Sequence, residues 1–170
     1  MRNTKGFTLI ELLVVVAIVA ILAAALIPNI LNARARALQA AAQSYARDIL
    51  IALESIQSAF SQIDWRETVF VNGVIPIVNS GALLSYGSWR DSARNPVSPP
   101  IVVNFSDFLK APGQTGIVTA GVLLRGSPSQ PAICVIQRVG NTHNAYSLYP
   151  DDNQFRSQLR APSTMLSVCP

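Results

Sequence analysis

Histidine is almost missing from this chain of 170 residues, where His143 stands alone. Cysteine is nearly as scarce, limited to Cys134 and Cys169, and aspartate and glutamate together number 9. These shortages exclude whole classes of chemistry. A zinc site draws on clustered thiolates and imidazoles, and the chain has neither a C-x-x-C nor a histidine cluster. His143 falls in an expected turn, a poor place for a general base, and the serines come without a G-x-S-x-G context. No enzyme and no cofactor are therefore expected. Lysine is confined to Lys5 and Lys110, so the positive charge is nearly all arginine. With Arg2 and Lys5 set aside, 11 basic residues face 9 acidic ones, a net charge of about +2. No basic run or basic–aromatic interleaving strengthens a nucleic-acid reading.

What the chain does have is one long apolar run, Phe7 to Ile27, behind a short basic leader ending at Gly6 and ahead of Pro28. A single acid, Glu11, sits inside it. A carboxylate at the centre of a bilayer costs roughly 2.5–3.5 kcal/mol on insertion scales, so an intramembrane acid points to a function. Three plainer readings fit less well. A secretory signal with Ala23-Ala24-Ala25 as its cleavage site has an apolar stretch near the upper length limit, with Glu11 awkwardly inside it. A plain membrane anchor leaves Glu11 unexplained. A buried helix of a soluble core is improbable for so long an apolar run.

Gly6-Phe7-Thr8-Leu9-Ile10-Glu11, followed by an aliphatic helix and Pro28, resembles the amino terminus of type IV pilins and the related type II secretion pseudopilins. The resemblance covers about the first third of the chain. It implies that a membrane aspartic peptidase cuts between Gly6 and Phe7 and then N-methylates Phe7. The domains expected are then a leader at 1–6, a transmembrane and assembly helix at 7–28, an amphipathic continuation at 29–63 and a β-rich head at 64–170. Cleavage leaves an amine on Phe7, and on a helix Phe7 and Glu11 form an i,i+4 pair. In a staggered fibre Glu11 of one subunit can meet the Phe7 amine of the next, so the buried carboxylate sets register. Gly6 has no Cβ and lets a protease approach the backbone.

By the same resemblance, the chain is stored in the inner membrane with a cytoplasmic amino terminus. It then polymerises with identical or related subunits into a pilus for adhesion, twitching motility or DNA uptake. Its partners are the peptidase/methyltransferase, the inner-membrane assembly machinery and the lipid bilayer. Two alternatives stay open: a pseudopilin in a periplasmic pseudopilus, and a minor pilin that caps the fibre and binds DNA or a surface through Arg90, Arg94, Arg125, Arg138, Arg156 and Arg160.

Fold class is α+β. Tyr45, Ile49, Leu53, Ile56, Phe60 and Ile63 form an apolar stripe on a helix that runs to about Gln62, with Arg47, Asp48, Glu54 and Gln57 off it. Pro28 removes a backbone hydrogen bond, so a kink or a locally meltable turn is expected there. Between Ala33 and Ala46 alanine dominates, with Arg34 and Arg36 interposed, and neighbouring helices could approach closely. Beyond the helix, Val69-Phe70-Val71 and Val74-Ile75 flank Asn72-Gly73 as a short hairpin, with Pro76 limiting the second arm to an edge or loop. Residues 79–100 read mostly as loop around an anchoring Trp89. Ile117–Leu124, Ala132–Val139 and Ala145–Tyr149 read as strands, the last two joined by a five-residue loop from Gly140 to Asn144. A small antiparallel sheet of three or four strands would pack on the helix stripe. Cys134 and Cys169 read as a disulfide if the head faces an oxidising compartment, or else as two buried thiols. Their pairing would resemble the disulfide-bounded carboxy-terminal region of many pilins. Asp151 and Asp152 are weak candidates for a calcium loop, and a turn explains them as well.

Overall fold

A computed structural model describes residues 6–79, 82–83, 85–86, 88–113, 116–126, 128–161, 166 and 169–170. The leader charges Arg2 and Lys5 lie outside the described residues. The chain divides into two compact units, residues 1–38 and 39–170, and helix α1 (Leu9–Ala59) contributes to both. From Leu12 to Ile27 the helix is apolar on all sides. None of its best membrane-length window is buried, and Leu9, Leu12, Val16, Ile21 and Ile27 all lie open. A soluble helix buries one stripe; this one is long and apolar enough to cross a membrane. Pro28 stands within α1, and helix continues on both sides of it. One turn back, the Ala25 carbonyl accepts from Asn29 Nδ2 at 3.3 Å.

In the second unit α1 becomes one-sided. Ala42, Tyr45, Ala46, Ile49, Leu53 and Ile56 are buried at spacings of three or four, while Arg47, Asp48 and Glu54 stay exposed. The other wall of this core is a six-stranded sheet. Its strands are β1 (Val74–Asn79), β2 (Ala82–Leu83), β5 (Ile117–Arg125), β6 (Gln130–Val139), β7 (Thr142–Tyr149) and β8 (Gln154–Ala161). Their order is β2-β1-β5-β6-β7-β8, antiparallel throughout, and β3 (Ser85–Tyr86) pairs with β4 (Val103–Asn104) separately. Side chains alternate across the pleat. Ile133 and Val135 of β6 join the core containing the α1 stripe, whereas Cys134 and Ile136 point to a second cluster with Leu123, Ala145 and Cys169. Both faces of the central sheet are therefore covered.

Several expectations need correction. Val69-Phe70-Val71 is not a strand: it lies in helix α2 (Trp65–Asn72). Asp64 caps that helix, accepting from the amides of Arg66 at 2.9 Å and Glu67 at 3.4 Å, and Gly73 closes it at φ +79° with its amide on Val69 O. Burying Trp65, Thr68 and Val69 on one helical face outweighs the β preference of Val-Phe-Val. Asn72-Gly73 thus ends a helix and makes no hairpin. The sheet has six strands, more than the three or four expected, because β1, β2 and β8 join β5, β6 and β7. The β6–β7 connection is also tighter than five residues: Val139 pairs with Thr142, leaving Gly140-Asn141 as the turn. His143 is consequently a strand residue opposite Arg138 and Ala161, not a turn residue.

Other expectations hold. Trp89 is buried. Pro76 sits at a bulge in β1, where β5 is the paired neighbour and β2 has not yet begun. Gly121 of β5 has no room for a side chain: a Cβ there would lie 2.5 Å from Leu166 Cδ1 and 2.8 Å from Ile75 O of β1. Gly121→Ala should therefore force the two strands apart and destabilise the head by about 1–3 kcal/mol. Urea unfolding of the full chain in detergent checks this, and an unchanged midpoint would contradict it.

Candidate functional site

The chemistry concentrates where α1 begins. Gly6 and Phe7 precede the helix in exposed, irregular backbone, and Phe7 is 81% exposed. Nothing lies within 4 Å of the place a Gly6 Cβ would occupy, so the peptide bond expected to be cut is open on that side. Glu11 is in the first turn. Its carboxylate accepts from the Thr8 amide at 2.9 Å and from the Thr8 hydroxyl at 2.6 Å, while the Glu11 amide donates back to Thr8 Oγ1 at 3.3 Å. This is a reciprocal capping box, T-x-x-E, satisfying two amides at the helix start. The i,i+4 face expected for Phe7 and Glu11 does not form, because Phe7 lies ahead of Leu9 where the helix starts. In the uncut chain the Phe7 nitrogen is also an uncharged peptide amide. The threonine contact was the missed element, and Thr8-Leu9-Ile10-Glu11 carried its signal in plain sight.

In the head, Cys134 and Cys169 are joined by a disulfide with Cα atoms 6.0 Å apart. Around this bridge Arg125 donates to Leu166 O at 3.3 Å, and Tyr149 donates to Pro170 O at 3.1 Å, as does Ser147. Of the six arginines considered as a binding patch, Arg125, Arg94 and Arg156 have their side chains engaged within the head. Arg94 pairs with Glu67 at 2.6 Å and lies over Phe70, and Arg156 lies over Tyr149. Asp152 accepts from the Gln154 amide at 2.9 Å, a turn contact at the start of β8 that gives the carboxylate a structural task. Among the described residues no cluster of three or more His, Cys, Asp or Glu could hold a metal.

Comparison with known proteins bears on the amino-terminal segment. Residues 1–27 match the family described as the prokaryotic N-terminal methylation motif. The chain is 65% identical over 48 residues to the type IV wide pilus major component PilA4 of Thermus thermophilus, which is 28% of this chain and 37% of that protein. It is 45% identical over 73 residues to the type IV major pilin protein PilA of Myxococcus xanthus, or 43% of this chain and 31% of that protein. The matched stretches thus span about a third of each of these relatives. No solved structure matches the chain. In its amino-terminal segment, therefore, the chain carries the prepilin-type methylation motif and is similar to type IV pilins.

Proposed function

We propose that this protein is a structural subunit of a type IV pilus, held in the inner membrane as a single-pass precursor and polymerised through α1. The observation that carries this reading is the first part of α1: a helix long enough to span a bilayer, apolar on every side, with no membrane-length window buried and an acid in its first turn. A bilayer can cover that surface in the precursor, and neighbouring copies of the same helix can cover it in a fibre. The relatives' description as major pilus components favours a pilus over a secretion pseudopilus.

The proposed domains follow the same division: a leader at 1–6, an apolar helix at 7–28, an amphipathic continuation at 29–63 and a head at 64–170. Peptidase cleavage between Gly6 and Phe7 frees the Phe7 amine, and methylation marks it. Glu11 then exchanges Thr8 for the amine of a neighbouring copy, which fixes the stagger between subunits. Pro28, lacking an amide proton, makes the surrounding turn the weakest part of the helix. The head faces the oxidising side of the membrane, where the Cys134–Cys169 bond persists.

Mass spectrometry of sheared surface fibres tests this. The expected chain starts at methylated Phe7 and retains the Cys134–Cys169 linkage. A chain starting at Met1 or Leu26, or the absence of this chain from fibres, would overturn the reading.

A further inference from the structure

The head carries a groove of about 490 Å³ between α1 and the segment after the short 3-10 turn Phe105–Asp107. Ser44, Tyr45, Asp48 and Ile51 line it from the helix, and Phe108 and Lys110 line it from the opposite wall. Tyr45 is only 6% exposed, yet its hydroxyl has no hydrogen-bond partner among the described residues. Burial and the nearby Asp48 charge both push the Tyr45 hydroxyl up from its ordinary range, so the phenol keeps its proton beside a carboxylate. Asp48 joins no ion pair among the described residues, not even with Lys110 in the same groove. An uncompensated acid and an unpartnered hydroxyl make the groove a place for a cation with several donors.

The chain itself has two such cations without counter-charges. Arg34 and Arg36 are exposed on α1, form no ion pair among the described residues, and have no acid within four positions on either side. The surrounding alanines let another surface come close. We propose that the groove of one copy receives Arg34 or Arg36 from α1 of a second copy, with Asp48 and Tyr45 taking the guanidinium. The planar fork of five donors suits a carboxylate plus a hydroxyl oxygen, and Ile51, 62% exposed, and Phe108 cover the aliphatic stem. A metal ion fits poorly, since the groove offers one carboxylate and no metal cluster occurs among the described residues. The two surfaces belong to different parts of the chain, so the contact is heterologous, the class of contact from which an open fibre can be built. This contact rests on the reading of the chain as a fibre subunit.

Charge exchange in the full chain tests it. Asp48→Arg, and separately Arg34→Asp with Arg36→Asp, should each lower the amount of subunit in sheared fibres by about tenfold or more, the effect of one lost contact of about 1.4 kcal/mol. All three changes together should restore it. Normal fibre yield from Asp48→Arg overturns the contact, as does failure of the combined variant to recover. A second readout avoids any effect of charge on membrane insertion: a chain with Arg36→Cys and Asp48→Cys should form a ladder of cross-linked copies in fibres. Arg36→Cys alone should give dimers at most. A double variant that gives no ladder counts against the contact. If fibres contain none of the unsubstituted chain, the subunit reading falls and this contact falls with it.

Discussion

Chains carrying Glu11→Gln should be cleaved between Gly6 and Phe7 as usual, yet enter fibres about 10- to 100-fold less often. The magnitude follows from the partner. A hydrogen bond to a charged group contributes about 1.5–3 kcal/mol, and each 1.4 kcal/mol is a factor of ten. Glutamine has nearly the same shape but no charge to offer an ammonium in apolar surroundings. The capping box sharpens this experiment. Gln serves at the third helical position almost as well as Glu, so the contact with Thr8 survives the substitution and the helix start stays intact. A fall in assembly therefore reports the charge and not a frayed helix. Counting subunits in sheared fibres against those left in membranes provides the measurement. Equal partition of variant and parent would remove Glu11 from any role in register.

The other large effect concerns the head. Cys134→Ala with Cys169→Ala should lower its unfolding free energy by about 3–4 kcal/mol, because the bond closes a loop of 35 residues that is otherwise free in the unfolded chain. It also holds the end of the chain against the sheet face opposite α1, where Leu123, Ile136 and Ala145 are packed. Releasing that end wets the face, so binding of a hydrophobic dye should rise before global unfolding. Urea titration of parent and variant without reductant measures the first effect, and dye fluorescence the second. A loss below about 1 kcal/mol would mean that the hydrogen bonds from Arg125, Ser147 and Tyr149 hold the tail almost unaided.

How far the sequence revealed this depends on how local each cause is. The stripe from Tyr45 to Ile56 was legible because a helical period survives in any context, and all of it is buried. Helix α1 ends at Ala59, short of the expected Gln62, so half-buried Phe60 and buried Ile63 follow the helix instead of lying on it. Strands β5, β6 and β7 were legible as apolar runs between turn residues. Helix α2 was misread because Val69-Phe70-Val71 favours strands locally, while Asp64, Gly73 and the burial of Trp65 decide otherwise. Strand β8 was invisible for a different reason. Its sequence, Gln-Phe-Arg-Ser-Gln-Leu-Arg-Ala, is mostly exposed at the sheet edge, so burial imposes little alternation on it. At the candidate site, Gly6, Phe7 and Glu11 stood out by residue type, and the disulfide by scarcity. The groove at Tyr45 and Asp48 could not be read in advance, because Phe108 and Lys110 reach it only through the folded head.

The two-residue turn at Gly140-Asn141 has a practical meaning. Both residues are exposed, and the hairpin on either side is fixed by its own ladder of paired strands. Lengthening such a tip costs little, since loop-closure entropy grows by only about 0.6 kcal/mol per doubling of length. An epitope or a fluorophore-bearing peptide placed between Gly140 and Asn141 leaves both sheet faces and the α1 contacts untouched. It is the natural point at which to display foreign sequence on the head.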